Sequence, residues 1–347
     1  MPALSSPDAP AIALRDHAPL RDKHGRAITD LRLSITDRCN YKCVYCRTGN
    51  DGAQYKELAT EEYLRLVRIF VSLGIEKLRL TGGEPLLRKD LVEMVKELAK
   101  LRTPSGEQLD IALTTNGHLL ADLAQPLKDA GLNRITISMD AVDAETFARI
   151  TRVPGSYERV LAGVRAAQAA GLAPVKVNAV LLRGFNDDQI ERFAGFARAE
   201  KVIVRFIEFM PLEEDRVWTP EIVVPMREIL TRLANVRPVV ALPPNAASET
   251  ARRYTFDDGI GEIGIIAPVS EPFCGHCSRI RLTSDGKIRT CLFSQMDHDL
   301  YGVMKRGGSD DDLATYIRKT VDQKEARHHI GEPDFQKPSR SMVHIGG

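Results

Sequence analysis

The chain lacks what would take it to a membrane, along a nucleic-acid backbone or into an oxidising compartment. No 18-residue apolar run occurs in its 347 residues, which excludes a transmembrane helix. Residues 1–20 carry Asp8, Arg15 and Asp16 and no uninterrupted apolar stretch, so no signal peptide is expected. An excess of charge is missing too. Lys+Arg 48 against Asp+Glu 47 leaves a net charge of +1, so any anionic ligand must meet a local cluster and not bulk charge. Cysteine is scarce: six residues are too few for a disulfide scaffold in a chain that is 43% hydrophobic and can build a core without staples. They fall in two triplets, an odd number in each, which suits metal ligation better than pairing. The expected compartment is the cytoplasm, where thiols stay reduced. The single tryptophan, Trp218, and the pair His328-His329 read as surface or packing residues.

What is present is alternation. Strand-like runs at 31–36, 77–81, 110–114, 134–139, 175–181 and 204–210 are separated by helical periodicity at 60–73, 89–101, 119–130, 157–170 and 188–200. Gly74, Gly131 and Gly171 each follow an apolar helix end, where a left-handed residue is favoured. Such repeats imply right-handed βαβ units and a parallel sheet. Six units fall short of the eight that close a barrel. The expected architecture is therefore α/β, a partial (β/α)6 TIM-like barrel over residues 31–211, after an N-terminal extension at 1–30. Past Pro211 prolines multiply and short strands at 253–256, 263–266, 280–283 and 287–289 suggest a small antiparallel unit, with Asp285-Gly286 as a hairpin turn. Residues 212–335 thus read as a small C-terminal α+β region with a late helix at 309–321, and 336–347 as a tail ending in Gly346-Gly347.

Cys39, Cys43 and Cys46 form a Cys-x3-Cys-x2-Cys loop just after the first strand. Three close thiolates hold three corners of a [4Fe-4S] cluster and leave one iron open to a small molecule. That points to radical chemistry with S-adenosylmethionine. Zinc, which prefers four ligands, is the competitor. Thr81-Gly82-Gly83-Glu84-Pro85 ends the second strand, and its bare peptide groups suit the amino group of S-adenosylmethionine; Tyr45 could line the adenine pocket. Gly82-Gly83, Thr114 to Gly117, Ser138 and Met210 all lie at strand carboxyl ends, where parallel α/β folds gather ligands. The second triplet, Cys274, Cys277 and Cys291, again lacks a fourth cysteine; zinc with His276 competes with a second cluster. Arg279 and Arg281 are two apart in a strand and aim one way, as a phosphate clamp would. Arg32 and Arg79 lie within apolar strands, where a guanidinium is costly without an anion. Four such arginines in a neutral chain suggest a triphosphate.

Together these residues resemble the GTP 3′,8-cyclase family, radical S-adenosylmethionine enzymes that start molybdenum cofactor biosynthesis. The resemblance runs from about Leu20 to Gly347 and includes Leu31-Arg32-Leu33-Ser34, Thr81–Pro85, Thr114-Thr115-Asn116-Gly117 and Val175-Lys176-Val177-Asn178. It continues through residues 205–210, the second triplet and the terminal Gly-Gly. It implies two [4Fe-4S] clusters, on Cys39, Cys43 and Cys46 and on Cys274, Cys277 and Cys291. Tyr45, Gly83, Ser138 and Met210 would contact S-adenosylmethionine, and Arg32, Arg79, Thr114, Lys176, Arg279 and Arg281 would contact GTP. The implied reaction removes the hydrogen at C3′ of GTP and joins that carbon to C8 of guanine. Implied partners are an electron donor, a downstream cyclic pyranopterin monophosphate synthase and a second copy of the chain, with no nucleic acid and no membrane. The chain departs from the family at Arg47-Thr48-Gly49, where Met-Pro is common. The tail from Lys337 is long enough, up to roughly 35 Å, to enter a cavity mouth. Two other readings stand beside this one: a radical enzyme maturing peptides or sulfatases, and a non-catalytic metal-binding module.

Overall fold

The computed structural model describes residues 18–46, 52–214 and 217–346, so the Arg47-Thr48-Gly49 departure and the terminal Gly347 lie outside the described residues. The first half alternates strands and helices: β1 (Asp30–Ser34), α1 (Thr60–Ser72), β2 (Lys77–Thr81), α2 (Leu91–Leu98), β3 (Asp110–Thr115) and α3 (Leu120–Asp129). Then come β4 (Arg134–Ser138), α4 (Ala144–Thr151), α5 (Ser156–Ala169), β5 (Lys176–Leu181), α6 (Ile190–Ala199) and β6 (Ile203–Glu208). The second half holds α7 (Met226–Val236), β7 (Val239–Leu242), β8 (Arg252–Phe256), β9 (Glu262–Ile266), β10 (Arg279–Leu282) and β11 (Lys287–Arg289). It ends in β12 (His298–Asp299), α8 (Leu300–Lys305), α9 (Asp310–Val321) and the short α10 (Met342–Ile345).

Local chemistry accounts for these elements. In α1, Tyr63, Leu66, Val67 and Phe70 recur at helical spacing and are buried against the sheet, while the Glu62 carboxylate accepts from the Ala59 amide and closes the first turn. Ser309 caps α9 reciprocally with Asp312. Gly74, Gly131 and Gly171 take the left-handed backbone expected at helix ends, with φ of 100°, 105° and 74°. Four helices were not legible: α4, which Asp143 caps through the Thr146 amide, α7, whose buried Met226, Ile229 and Leu233 follow a proline-rich stretch, and the short α8 and α10.

The strands form one sheet in the order β12-β11-β10-β1-β2-β3-β4-β5-β6-β9-β8-β7. The partial barrel is present, and its parallel run is longer than six strands, because β10 pairs parallel to β1 and β9 parallel to β6. This corrects the expectation of a separate antiparallel unit. The hairpins β8–β9 and β10–β11 are antiparallel within themselves, yet one strand of each extends the barrel. Their other strands cover the outer edges of β9 and β10, which keeps the sheet open. No helix among the described residues is long and apolar enough to cross a membrane.

Candidate active site

Alternate side chains of a strand face opposite ways. Leu31, Leu33, Leu78, Leu80, Ile135 and Ile137 face the helices and are fully buried. Their neighbours Arg32, Arg79, Thr136, Asn178, Arg205 and Arg281 turn inward and line a cavity of about 450 Å³. Strand register sets Arg281, Arg32 and Arg79 abreast on β10, β1 and β2. Arg79 Nη1 donates to Thr114 Oγ1 at 3.1 Å and to Thr136 Oγ1 at 3.3 Å. Gly264 of β9, beside Arg205, leaves room for that side chain, since a Cβ there would fall 3.0 Å from Arg205 Cγ.

The cavity is electrostatically unsatisfied. Burial, then the charges of Arg279 and Arg79 against the opposing pull of Asp30, lowers Arg32 to about 10. Burial lowers Arg79 and Arg205 to about 10, with neighbouring arginines adding to the effect. Lys176 falls to about 8 through burial and the charges of Arg205, Arg134 and Arg79. Arg32 Nε and Asn178 Oδ1 are buried without a hydrogen-bond partner. Buried polar groups of this kind are costly until a ligand engages them. The arrangement is built for a polyanion.

At one end of the cavity stands the loop of Cys39, Cys43 and Cys46. The Tyr41 amide donates to Cys39 Sγ at 3.4 Å. Burial, reinforced by Asp140 and the neighbouring cysteines, holds the Cys43 thiol well above its ordinary range. Tyr45 Oη donates to Asp140 Oδ2 at 2.8 Å, and Val180 N donates to Asp140 Oδ1 at 2.9 Å, which ties the loop to β5. Gly82 and Gly83 pack beneath it: a Cβ on Gly82 would sit 2.3 Å from Thr36 O, and one on Gly83 would sit 2.2 Å from Arg38 O. The glycines are therefore required by the loop's own packing. Glu84, fully buried and raised by that burial to about 7, accepts from the Asn116 amide, the Thr115 hydroxyl and the Leu86 amide.

The second triplet lines the same cavity. Arg279 Nη2 approaches Cys277 Sγ at 3.4 Å. Burial alone would raise the Cys277 thiol, but Arg279 and Lys324 outweigh it and bring it to about 6. Lys324 Nζ donates to Arg279 O at 2.9 Å and also to Thr290 O, bridging the segments that bear Cys277 and Cys291. Arg26 donates to Cys274 O at 2.9 Å and to Glu325 O at 2.6 Å. Neither set of three sulfurs gathers within 4.8 Å; among the described residues only His329, Glu332 and Asp334 do so. A single tetrahedral zinc would hold its sulfurs roughly 3.8 Å apart, given a Zn–S distance near 2.3 Å. The first triplet's donor set, three thiols on one loop, fits a four-iron cluster.

The Radical SAM superfamily matches residues 33–197, and the Molybdenum Cofactor Synthesis C family matches residues 202–330. A GTP 3′,8-cyclase of Acidothermus cellulolyticus is 45% identical over 294 residues, covering 83% of this chain and 80% of the relative. The chain belongs to the GTP 3′,8-cyclase family. The relative from Paenarthrobacter nicotinovorans is 42% identical over 351 residues, covering 94% of this chain and 97% of its own. The structure of Streptococcus suis SuiB bound to S-adenosylmethionine shares the fold, with a TM-score of 0.62 at 13% identity, covering 91% of this chain and 78% of that one.

In this radical S-adenosylmethionine enzyme, every residue to which the family resemblance gives a cluster, S-adenosylmethionine or GTP contact lines one cavity, Tyr45, Gly83, Ser138, Met210, Thr114 and Lys176 included, while Gly117 and His276 do not line it. Sequence reasoning gave no role to Asp30, Asn178, Arg205, Asp140 or Lys324, which line it as well. Strand parity could have found Asn178, two residues after Lys176, and Lys77, two before Arg79. His328, expected as a surface or packing residue, packs with its ring 5.2 Å from that of Phe293 and also lines the cavity, a position the sequence did not indicate. Trp218 packs in the small second core, donating from Nε1 to Phe209 O at 2.9 Å.

Proposed function

We propose that this chain converts GTP to (8S)-3′,8-cyclo-7,8-dihydroguanosine 5′-triphosphate, the first step of molybdenum cofactor biosynthesis. The observation that carries the reading is the band of buried cations strung between two cysteine triplets in one cavity. Cys39, Cys43 and Cys46 would hold the first [4Fe-4S] cluster, and Cys274, Cys277 and Cys291 a second. With S-adenosylmethionine bound, the first cluster supplies the one-electron cleavage that starts hydrogen abstraction. Tyr45, Gly83, Ser138 and Met210 seat S-adenosylmethionine. Arg32, Arg79, Thr114 and Lys176 take up triphosphate and so hold the ribose still, which converts binding energy into orientation. Arg279 and Arg281 offer further guanidinium donors beside Cys277. The walls between the two ends exclude water from a reactive carbon centre.

A one-electron donor, a downstream cyclic pyranopterin monophosphate synthase and a second copy of this chain are the partners that fit this chemistry, in the cytoplasm. The test is an anaerobic assay of reconstituted protein with S-adenosylmethionine, a strong reductant and either GTP or ATP. The expected outcome is 5′-deoxyadenosine together with a product isomeric with GTP, formed from GTP alone. Equal cleavage with both nucleotides, or none with GTP, overturns the substrate assignment.

A further inference from the structure

Beyond α9 the chain runs back across the molecule to the cavity, and one side chain anchors it there. Arg340 is nearly buried, with 7% of its surface exposed. Its Nη1 and Nη2 each lie 2.9 Å from one oxygen of Asp285, and its Nε lies 2.5 Å from Asp297 Oδ2. The same guanidinium covers the Tyr55 ring at 4.1 Å from the centroid. Asp285 opens the turn between β10 and β11, and Asp297 also pairs with the fully buried Arg289 of β11. Arg340 thereby ties the tail to the hairpin that bears Arg281 and leads to Cys291.

The consequence is felt at the next turn. The Met342 amide donates to Leu212 O at 3.0 Å, and α10 follows. Arg281 then donates to the carbonyls of Ile345, at 3.2 Å, and of Gly346. Gly346 has φ 67°, and a Cβ on it would fall 2.7 Å from Thr81 Cγ2 and 3.4 Å from Ser34 Cβ. Only glycine reaches that point, between the ends of β1 and β2, and it does so because the chain is pinned six residues earlier.

We propose that Arg340 is a positioning residue: a two-carboxylate latch that seats Gly346 at the mouth of the nucleotide cavity. The proposal rests on the cyclase reading above and deepens it. An arginine is required because its planar fork meets both oxygens of Asp285 while a third N–H faces Asp297, and its flat face stacks on Tyr55; a lysine ammonium offers one point of charge. A buried group shared between two carboxylates adds little net stability but strongly selects one geometry.

The test compares Arg340→Met, Arg340→Lys and a chain lacking Gly346 and Gly347. Hydrogen–deuterium exchange on the full chain reads the latch without any cofactor. Arg340→Met is expected to speed exchange over residues 341–346 by about tenfold or more, and Arg340→Lys by less, with β1 to β6 unchanged. In reconstituted enzyme, product formation from GTP should fall by about tenfold with iron content unchanged, and combining Arg340→Met with the truncation should add no further loss. Unchanged exchange, or a loss that adds to that of the truncation, overturns the latch. If the truncated chain turns over normally, the tail has no role and the latch falls while the cyclase reading stands. If the unaltered enzyme makes no product from GTP, the cyclase reading falls and the exchange measurement still decides the latch. Should Arg340→Met fail to fold, Arg340→Lys carries both measurements.

Discussion

The first cysteine triplet is strung along one loop, from Cys39 to Cys46, whereas the second joins Cys274 and Cys277 to Cys291 across a hairpin. Their surroundings differ as much as their assembly. Around the first, burial and Asp140 push the Cys43 thiol up, so its thiolate awaits a cation. Around the second, Arg279 and Lys324 outweigh burial and bring Cys277 to about 6, while burial pushes the Cys291 thiol up, so one ligand of that triplet is set towards thiolate and another is not. The lesson is that equal ligand counts do not make equal sites. One is local in sequence and buried without a cation beside it; the other is assembled across a hairpin, with Arg279 and Lys324 beside one of its three thiols. The band of buried cations lies between them.

The sharpest way to break this comparison is to remove one ligand from each. Cys43→Ala is expected to abolish 5′-deoxyadenosine formation and to leave about four of about eight irons per chain. Cys291→Ala should lose the other half of the iron while S-adenosylmethionine cleavage continues, uncoupled from cyclisation. Iron analysis with separate assays of 5′-deoxyadenosine and cyclised nucleotide distinguishes them. If both variants lose all cleavage, the two sites do not divide the chemistry as described.

A smaller effect follows from how the second site is assembled. Arg26 reaches Cys274, Glu325 and Ala326 from outside the barrel, with its Nε paired to Asp22 at 2.6 Å. Arg26→Met leaves three partly buried carbonyls without that donor, which water can partly replace, so the cost is about 1 kcal/mol each at most. The expected result is selective loss of the second half of the iron, partial where Cys291→Ala is complete, with the first site unaffected. Equal losses at both sites would show that Arg26 supports the fold at large and not this triplet.

The asymmetry also explains what could be read in advance. Cys39, Cys43 and Cys46 are legible because their spacing is local, and Arg32 and Arg79 because a charge in an apolar strand demands a partner. The strand–helix alternation exposed the six central units for the same reason: periodicity is a short-range signal. Pairing partners are not. Nothing near 262–266 or 279–282 says that one strand of each hairpin will extend the barrel, since hairpin signals specify the turn and not the outer neighbour. Lys324 and Arg26 were invisible because they act on carbonyls hundreds of residues away or across a hairpin. His328 was set aside because a histidine pair in a polar stretch has no pattern, and only the fold turns one member inward. Glycine at 82 and 83 points to a close ligand approach, and the backbone of Thr36 and Arg38 gives these positions a second reason to lack a side chain, one that only the fold shows.

The gentlest probe of the cationic side is pH, acting through Lys176. Burial and the charges of Arg205, Arg134 and Arg79 lower this lysine to about 8 in the free enzyme. A base with a lowered pKa carries its proton below that value and loses it above. The band should therefore hold its full charge below pH 8 and weaken as pH rises through it. Because kcat/KM reports the free enzyme, kcat/KM for GTP should decline on the alkaline side by roughly three- to tenfold, while cleavage at the first site holds steady. The buried carboxyls do not confuse this limb. Glu84 and Asp140, raised by burial to about 7 and about 6, are already mostly ionised at pH 8. Lys176→Arg, like the neighbouring arginines held at about 10, keeps its charge through the pH 8 region and should move the decline to higher pH. An alkaline limb that stays at about pH 8 in Lys176→Arg would assign the titration to another group and leave Lys176 outside the band that meets the triphosphate.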